Sequence, residues 1–308
     1  MRKVFINMLI VFCLLSLVGC GPKVKEIKIG EQYGLAYAPL QIMKEKGFLK
    51  DALPDVTIKW VKVANTAVTR EAMLSDDLDV GFIGIPPFLI GYDQKMPWKI
   101  MTGLSMSPLG LVTSDENISS LDDLIDNGKI ALPQPGSIQH ILLAMAADRE
   151  LGQSDIFDNQ LVAMKHPDGL QALISGTEVK AHFTSPPYLF QELDVPGNNL
   201  ILSGKDAMKE DFTFIVGVCT DEFHKKQPYY ESVNEAILES IEFMKNEKKE
   251  TIEILARSYS LEKKVVEDYI YNRGMKYTTD IKGVETFIDF MYKEKYLSNL
   301  PKVDDVIW

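Results

Sequence analysis

Cysteine is scarce: the 308 residues hold three, at 13, 20 and 219. So few thiols argue against a disulfide-stapled scaffold and supply no pair for a cysteine-based zinc site. Basic charge is also short, with 33 Lys and Arg against 44 Asp and Glu, a net of -11. That sign argues against nucleic acid as a partner, because nothing would neutralise phosphates and release their counterions. The four histidines, at 140, 166, 182 and 224, lack HExxH spacing, and neither a GKS/T phosphate loop nor GxGxxG is present. What remains is an ordinary globular composition, 46% hydrophobic and 25% charged, which excludes disorder and low complexity. At roughly 150 residues per domain, the length suggests two domains.

The first twenty residues read as an address. Arg2 and Lys3 precede a largely apolar stretch over 4–17, too short to span a bilayer and followed by small residues, the pattern of a secretory signal. Leu17-Val18-Gly19-Cys20 resembles a bacterial lipobox, which implies removal of 1–19, lipidation of Cys20 and a short tether over 20–25. Losing Arg2 and Lys3 makes the exported part still more acidic. Cys219 then stands without a partner. Its surroundings, Ile215-Val216-Gly217-Val218-Cys219, read as a buried strand end and an inert core thiol.

Strands alternate with helices along the chain. An extended segment containing Ile27 and Ile29 precedes a helix that starts on Pro39 and stops on Gly47. A strand over 56–63, a helix from Asn65-Thr66, a strand over 79–84 and a helix from Pro86-Pro87 follow. One unit then recurs at an offset of one hundred residues. Ala72, Ser75, Pro86, Pro87 and Leu89 fall on Ala172, Ser175, Pro186, Pro187 and Leu189, which suggests two similar α/β lobes, each with a double proline opening a helix. The second lobe would hold strands over 129–132 and 161–164 around a helix over 137–149. The chain would cross between lobes at 108–115 and 204–213. Beyond Pro228, the spacings of Val233, Ile237, Ile241 and Met244, then of Leu261, Val265 and Tyr269, predict helices returning to the first lobe.

The lipobox, EIKIGEQYGLAYAPLQIMKEKGFL, LDVGFIGIPP and SSLDDLIDNGKIALPQPGSIQHILL, in that order, resemble the substrate-binding proteins of ABC importers in the nitrate, sulfonate, taurine and thiamine-precursor family. The resemblance covers nearly the whole mature chain. It implies a type II periplasmic-binding-protein fold, α/β, with two mixed sheets flanked by helices and two crossovers. Lobe 1 would span 26–111 and 208–308, and lobe 2 would span 112–207. It further implies a lipid-anchored monomer that closes on a small solute and delivers it to a membrane permease and its ATPase, without cofactor, metal or catalytic residues. One departure stands out: Lys180 occupies a position where such proteins often carry aspartate. A fungal pyrimidine synthase related to the family uses a cysteine-rich motif that this chain lacks. An exported enzyme on the same fold and a sensing subunit for a membrane receptor are the alternatives.

In open α/β sheets a ligand sits beyond the carboxyl ends of strands, where helices begin with unpaired amides and partial positive charge. Five such junctions can be named: 32–38, 64–66, Gly84-Ile85, 134–140 and 184–185. They nominate Gln32, Tyr33, Tyr37, Asn65, Thr66, Gly84, Ile85, Gly136, Ser137, Gln139, His140, Ser185 and Tyr188 as ligand contacts. An oxyanion could be held by amides alone. Only Arg70 lies near these loops among arginines, which disfavours a highly charged ligand; an aromatic or aliphatic body with one polar or anionic end suits the set. Bland readings stand beside these. Asn65, Thr66, Ser137 and Ser185 also suit helix caps, Tyr33 and Tyr37 interlobe packing, and His140 the core. Asp168 reads as the cap of the helix after Pro167, or as a partner for an ammonium group.

Overall fold

The computed structural model describes residues 25–32, 34–176 and 178–308; the export signal, Cys20 and Tyr33 therefore lie outside the described residues. Strand β1 (Glu26–Glu31) turns Ile27 and Ile29 fully into the core. A 3-10 turn over Leu35–Tyr37 leads into α1 (Ala38–Lys46), with Pro39 in the first turn, where no amide partner exists to be lost. Gly47 ends the helix at φ 76°, a left-handed conformation that glycine adopts at little cost. Then come α2 (Phe48–Ala52), β2 (Thr57–Lys62), α3 (Thr66–Leu74), β3 (Val80–Gly84), α4 (Ile85–Asp93) and β4 (Trp98–Met106).

Three residues connect β4 to β5 (Gly110–Thr113), which begins a second sheet. β6 (Lys129–Leu132), α5 (Ile138–Leu151), β7 (Leu161–Ala163), α6 (His166–Ser175), β8 (Val179–Thr184), α7 (Tyr188–Leu193) and β9 (Asn199–Ser203) follow. The chain returns through α8 (Gly204–Met208) to β10 (Ile215–Thr220). The remainder is α9 (Asp221–His224), α10 (Gln227–Asn246), α11 (Lys248–Tyr259), α12 (Lys263–Tyr271), β11 (Lys276–Tyr277), α13 (Val284–Lys293) and α14 (Val303–Val306). Among the described residues no helix is long and apolar enough to cross a membrane.

The repeat seen in the sequence is a repeat of topology. The first sheet runs β11-β4-β10-β3-β1-β2 and the second β7-β6-β8-β5-β9. Setting β11 aside, β2-β1-β3-β10-β4 corresponds to β7-β6-β8-β5-β9. The first three strands of each set pair in parallel, and the last two join antiparallel. In both sheets the fourth strand arrives from the other lobe: β5 after the first crossing and β10 after the second. Lys180 on β8, the departure from the family pattern, points its ammonium at Asp115, 3.0 Å away, just past the end of the neighbouring β5.

The two double prolines do not behave alike. Pro86 and Pro87 lie inside the first turn of α4, whereas helix α7 starts only at Tyr188, with Pro187 as its N-cap after a cis Pro186–Pro187 bond. Only the first pair, therefore, opens a helix in the sense that the sequence suggested. Helix α12 also differs in phase. Ser260 ends α11 in the left-handed region, which restarts the helix at Lys263 and buries Val266, Tyr269 and Ile270 in place of Leu261 and Val265.

A continuous apolar cluster joins both sheets, from Phe82, Phe88 and Trp98 through Ile141 and Leu142 to Phe183. Burial of each such side chain is worth about 1.5–3 kcal/mol. Helices α10 and α11 lie on α1. The C-terminal segment holds both halves: Lys293 reaches Asp148 on α5 at 2.7 Å, while the Trp308 amide donates to Ile100 O on β4 at 3.0 Å. Cys219 is fully buried on β10, and burial pushes its thiol up to about 12, so it stays an inert core group.

Candidate functional site

Between the sheets, at the carboxyl ends of their parallel strands, lies a cavity of about 310 Å³. One wall belongs to the first lobe. It is built from Gln32, Gly34, Ala36 and Tyr37 after β1, Ala64, Asn65 and Thr66 after β2, and Gly84 and Pro87 after β3, with Phe214 and Ile215 on the returning crossover. The other wall comprises Pro133, Gln134, Ser137, Ile138 and Gln139 after β6, Met164, Lys165, His166 and Pro167 after β7, and Ser185 and Tyr188 after β8.

The lobes touch at the mouth. Gly34, at φ 116°, lets the chain turn so that the Leu35 amide donates to Pro186 O in the other lobe at 3.1 Å. Two half-buried tyrosines hold that turn from behind: Tyr259 donates to Gly34 O at 3.0 Å and Tyr277 to Leu35 O at 2.8 Å. Burial raises both phenols well above the ordinary tyrosine range, so they remain donors at any physiological pH. Gln32 spends its amide nitrogen on Phe82 O at 3.0 Å, fixing the end of β1 to β3.

Nine of the thirteen nominated contacts line this cavity: Gln32, Tyr37, Asn65, Thr66, Gly84, Ser137, Gln139, Ser185 and Tyr188. Tyr33 lies between Gln32 and Gly34 but outside the described residues. Ile85 is fully buried in the core beneath it. Gly136 and His140 face each other instead: the Gly136 amide donates to His140 Nδ1 at 2.9 Å, and His140 Nε2 meets Asp158 at 3.1 Å. His140 packs edge-on to Tyr296 and is 5% exposed, so it braces the loop that carries Ser137. Asn65 and Ser137 are caps as well as wall: their side chains accept from the Val68 and His140 amides. Thr66 and Ala67 of α3, and Ile138 and Gln139 of α5, keep the first-turn amides that no helix bond uses. The double proline of α4 removes two such donors.

Sequence reading passed over the junction after β7. Lys165 is the N-cap of α6 and, among the described residues, the one lysine or arginine that lines the cavity, with Asp168 in the first turn and no side-chain cap. Asp168 is therefore not the cap, and it does not line the cavity. The scarcity of arginine concealed this cation. His166 follows Lys165, its ring stacked on Tyr188 at 5.7 Å between centroids. Its Nε2 lies on the cavity side, 3.5 Å from the Gln139 amide nitrogen and 3.4 Å from Ser185 Oγ. Its Nδ1 faces inward, 3.0 Å from Thr184 Oγ1 and 3.3 Å from His182 Nε2. His182 Nδ1 in turn meets Glu192 Oε1 at 2.5 Å, both side chains being fully buried. Burial, joined at His166 by the neighbouring His182, pushes both imidazoles down to about 3, and burial pushes the Glu192 carboxyl up to about 9. Among the described residues no group of acidic, histidine and cysteine side chains is arranged to hold a metal ion.

Two α/β lobes of matching topology, joined by two crossings and closed over a cavity at their strand ends, define a type II periplasmic-binding-protein architecture. The chain belongs to the NMT1-like family, whose model matches residues 20–260. Among solved structures it is similar to the alkanesulfonate-binding protein SsuA from Xanthomonas axonopodis pv. citri bound to MOPS, at 19% identity and TM-score 0.77 over 94% of this chain and 99% of that one. The periplasmic aliphatic sulphonate binding protein SsuA from Escherichia coli is 21% identical, with TM-score 0.73 over 92% of each chain. The periplasmic nitrate-binding protein NrtA from Synechocystis PCC 6803 is 17% identical, with TM-score 0.70 over 93% and 87%. At these identities the likeness is one of fold. No curated protein matches the chain.

Proposed function

We propose that the protein is an extracytoplasmic solute-binding component of an ABC importer, anchored through a lipid on Cys20 and working as a monomer. Lobe 1 is 26–111 with 208–308 and lobe 2 is 112–207. The observation that carries the reading is the cavity itself: a cleft between two lobes, walled by strand ends and helix starts, with one lysine, Lys165, among its described lining residues and a largely apolar remainder. Such a site suits a small organic molecule with one oxyanion or carbonyl end. Similarity in fold to sulfonate- and nitrate-binding proteins and the start of the family match at residue 20 support the assignment. Solute bridging both walls would favour the closed arrangement, which a permease then reads.

Native mass spectrometry of protein purified without refolding, followed by calorimetric titration with alkanesulfonates, taurine, nitrate and pyrimidines, tests it. Saturable binding of one solute per chain, with that solute recovered unchanged, is the expected result. Conversion of the solute to a new product would transfer the protein to the exported-enzyme reading. Globomycin-sensitive processing and palmitate labelling lost on Cys20→Ala would test the anchor.

A further inference from the structure

The buried chain Glu192–His182–His166 has no counterpart in the sequence-level account of the site, and its geometry fixes a direction. Glu192 Oε2 is buried with no hydrogen-bond partner, while Oε1 lies 2.5 Å from His182 Nδ1. An ionised carboxylate with one oxygen unpartnered in the core would bear a heavy desolvation cost. The neutral acid avoids that cost by donating its one proton to His182 Nδ1. His182 must then carry its own proton on Nε2 and donate to His166 Nδ1, whose single lone pair the Thr184 hydroxyl, 3.0 Å away, can share. One nitrogen is left to bear the His166 proton: Nε2, on the cavity side. The packing is tight, because a Cβ on Gly169 would lie 2.5 Å from His182 Nε2.

We propose that Glu192 and His182 are positioning residues that lock His166 in its neutral Nε2–H form, making it a fixed donor to an accepting oxygen of the bound solute. The solute half of this statement rests on the solute-binding function above; the tautomer half does not. The titratable groups that meet the His166 ring are His182 on β8 and Tyr188 on α7; Glu192 on α7 acts through His182, and Lys165 and Asp168 flank His166 in sequence. Without solute, Gln139 can accept this proton by turning its amide oxygen toward Nε2, 3.5 Å from its nitrogen as placed, and a solute oxygen takes its place on binding.

Nitrogen-15 NMR of the histidine rings in the whole protein, assigned by single histidine replacements, reads the lock directly. His166 and His182 should stay neutral with protons on Nε2 from about pH 5 to 8, where an ordinary imidazole titrates. Glu192→Gln, whose amide can still donate to His182 Nδ1, should preserve the pattern, and Glu192→Leu should let His166 mix tautomers or protonate. A His166 proton on Nδ1, or a titration midpoint of either ring between pH 5.5 and 7.5, overturns the proposal; the spectra of wild type and of Glu192→Gln decide even if Glu192→Leu does not fold. With hexane-1-sulfonate, whose charge is constant over the range, as the probe, affinity should be independent of pH from 5.5 to 8 and fall at least tenfold in His166→Phe. An unaltered affinity in that variant overturns the donor role. A correct tautomer in a protein that binds none of the solute panel upholds the lock and removes the solute-binding function instead.

Discussion

Replacing Glu192 with glutamine should make the protein gain stability, relative to wild type, as pH rises. The Glu192 carboxyl is pushed by burial to about 9 in the fold, against an ordinary 4.5. Between these values the folded chain holds a proton that the unfolded chain has shed, so folding weakens with increasing pH. One proton corresponds to about 1.4 kcal/mol per pH unit, so from pH 6.5 to 8.5 wild type should lose on the order of 2–3 kcal/mol that the Glu192→Gln protein keeps. The imidazoles act with the opposite sign. His182 and His166 remain neutral down to about 3 in the fold but titrate near 6.5 when free, so their contribution is present above that range and is lost on acidification through 6.5 toward 3. Together the three groups place the cluster's optimum near pH 6.5. Urea unfolding of both proteins at several pH values, followed by tryptophan fluorescence, isolates the effect, because all other groups cancel in the difference. A difference flat to within about 0.5 kcal/mol would refute the reasoning. It would mean that Glu192 is ionised against a charged His182.

Lys165→Ala should weaken binding of an oxyanion solute about tenfold, or about 1.4 kcal/mol, and reduce the salt dependence of the affinity measured by calorimetry; equal affinity for the charged solute in both proteins would place the anion elsewhere. His140→Ala should cost about 1–3 kcal/mol of stability by orphaning the Gly136 amide, while changing solute affinity less than about threefold (under 0.7 kcal/mol on the affinity scale), a contrast read by unfolding and titration on one sample. Gly169→Ala should destabilise by about 1–3 kcal/mol through overpacking against His182 and disturb the His166 ring signals; an unperturbed spectrum would show that the ring has room to move. In a series of linear alkanesulfonates, affinity should rise about fourfold per methylene, from about 0.8 kcal/mol each, until the cavity is full.

The sequence carried the architecture wherever a local signal had a single structural meaning. Pro39 and Gly47 bracket α1 because each conformational preference can be met at only one end of a helix. The strand over 129–132 appears as β6 with those bounds, and the hundred-residue offset became the shared strand order of the two sheets. The site was legible where strand ends met polar residues, and less so elsewhere for three physical reasons. Phe214 and Ile215 reach the cavity only because β10 crosses back from the other lobe, a long-range fact with no local signature. His140 sits one helical turn beyond Ser137 and looked equally suited to the cavity, but its ring turns to the Gly136 amide and Asp158. Around His166-Pro167-Asp168-Gly169 the local signal points to Asp168, as a cap or as a partner for an ammonium group, and not to Lys165 or His166. The proline at the second position of α6 had already fixed the helix start at His166 and put Lys165 at the cap.

The halves match in topology but differ in what they offer a solute. On the first wall the polar groups are largely committed: Gln32 donates to Phe82 O, Asn65 caps α3, and Pro86 and Pro87 strip α4 of two first-turn amides. What remains there is mostly apolar, Ala36, Ala64, Pro87, Phe214, Ile215 and the ring of Tyr37, beside Thr66 and the free first-turn amides of α3. On the second wall stand Lys165, the His166 donor and the first-turn amides of α5. A symmetric frame has thus been divided in labour by side chains alone, one wall packing a solute's body and the other reading its polar end. That division fits the place of Glu192, whose Oε2 is buried without a partner behind the second wall, whereas Glu31, buried in the first lobe, is paired with Gln41 and Lys44. A donor that must point one way needs its proton placed by a neighbour that water cannot reach, whereas an apolar wall needs only shape.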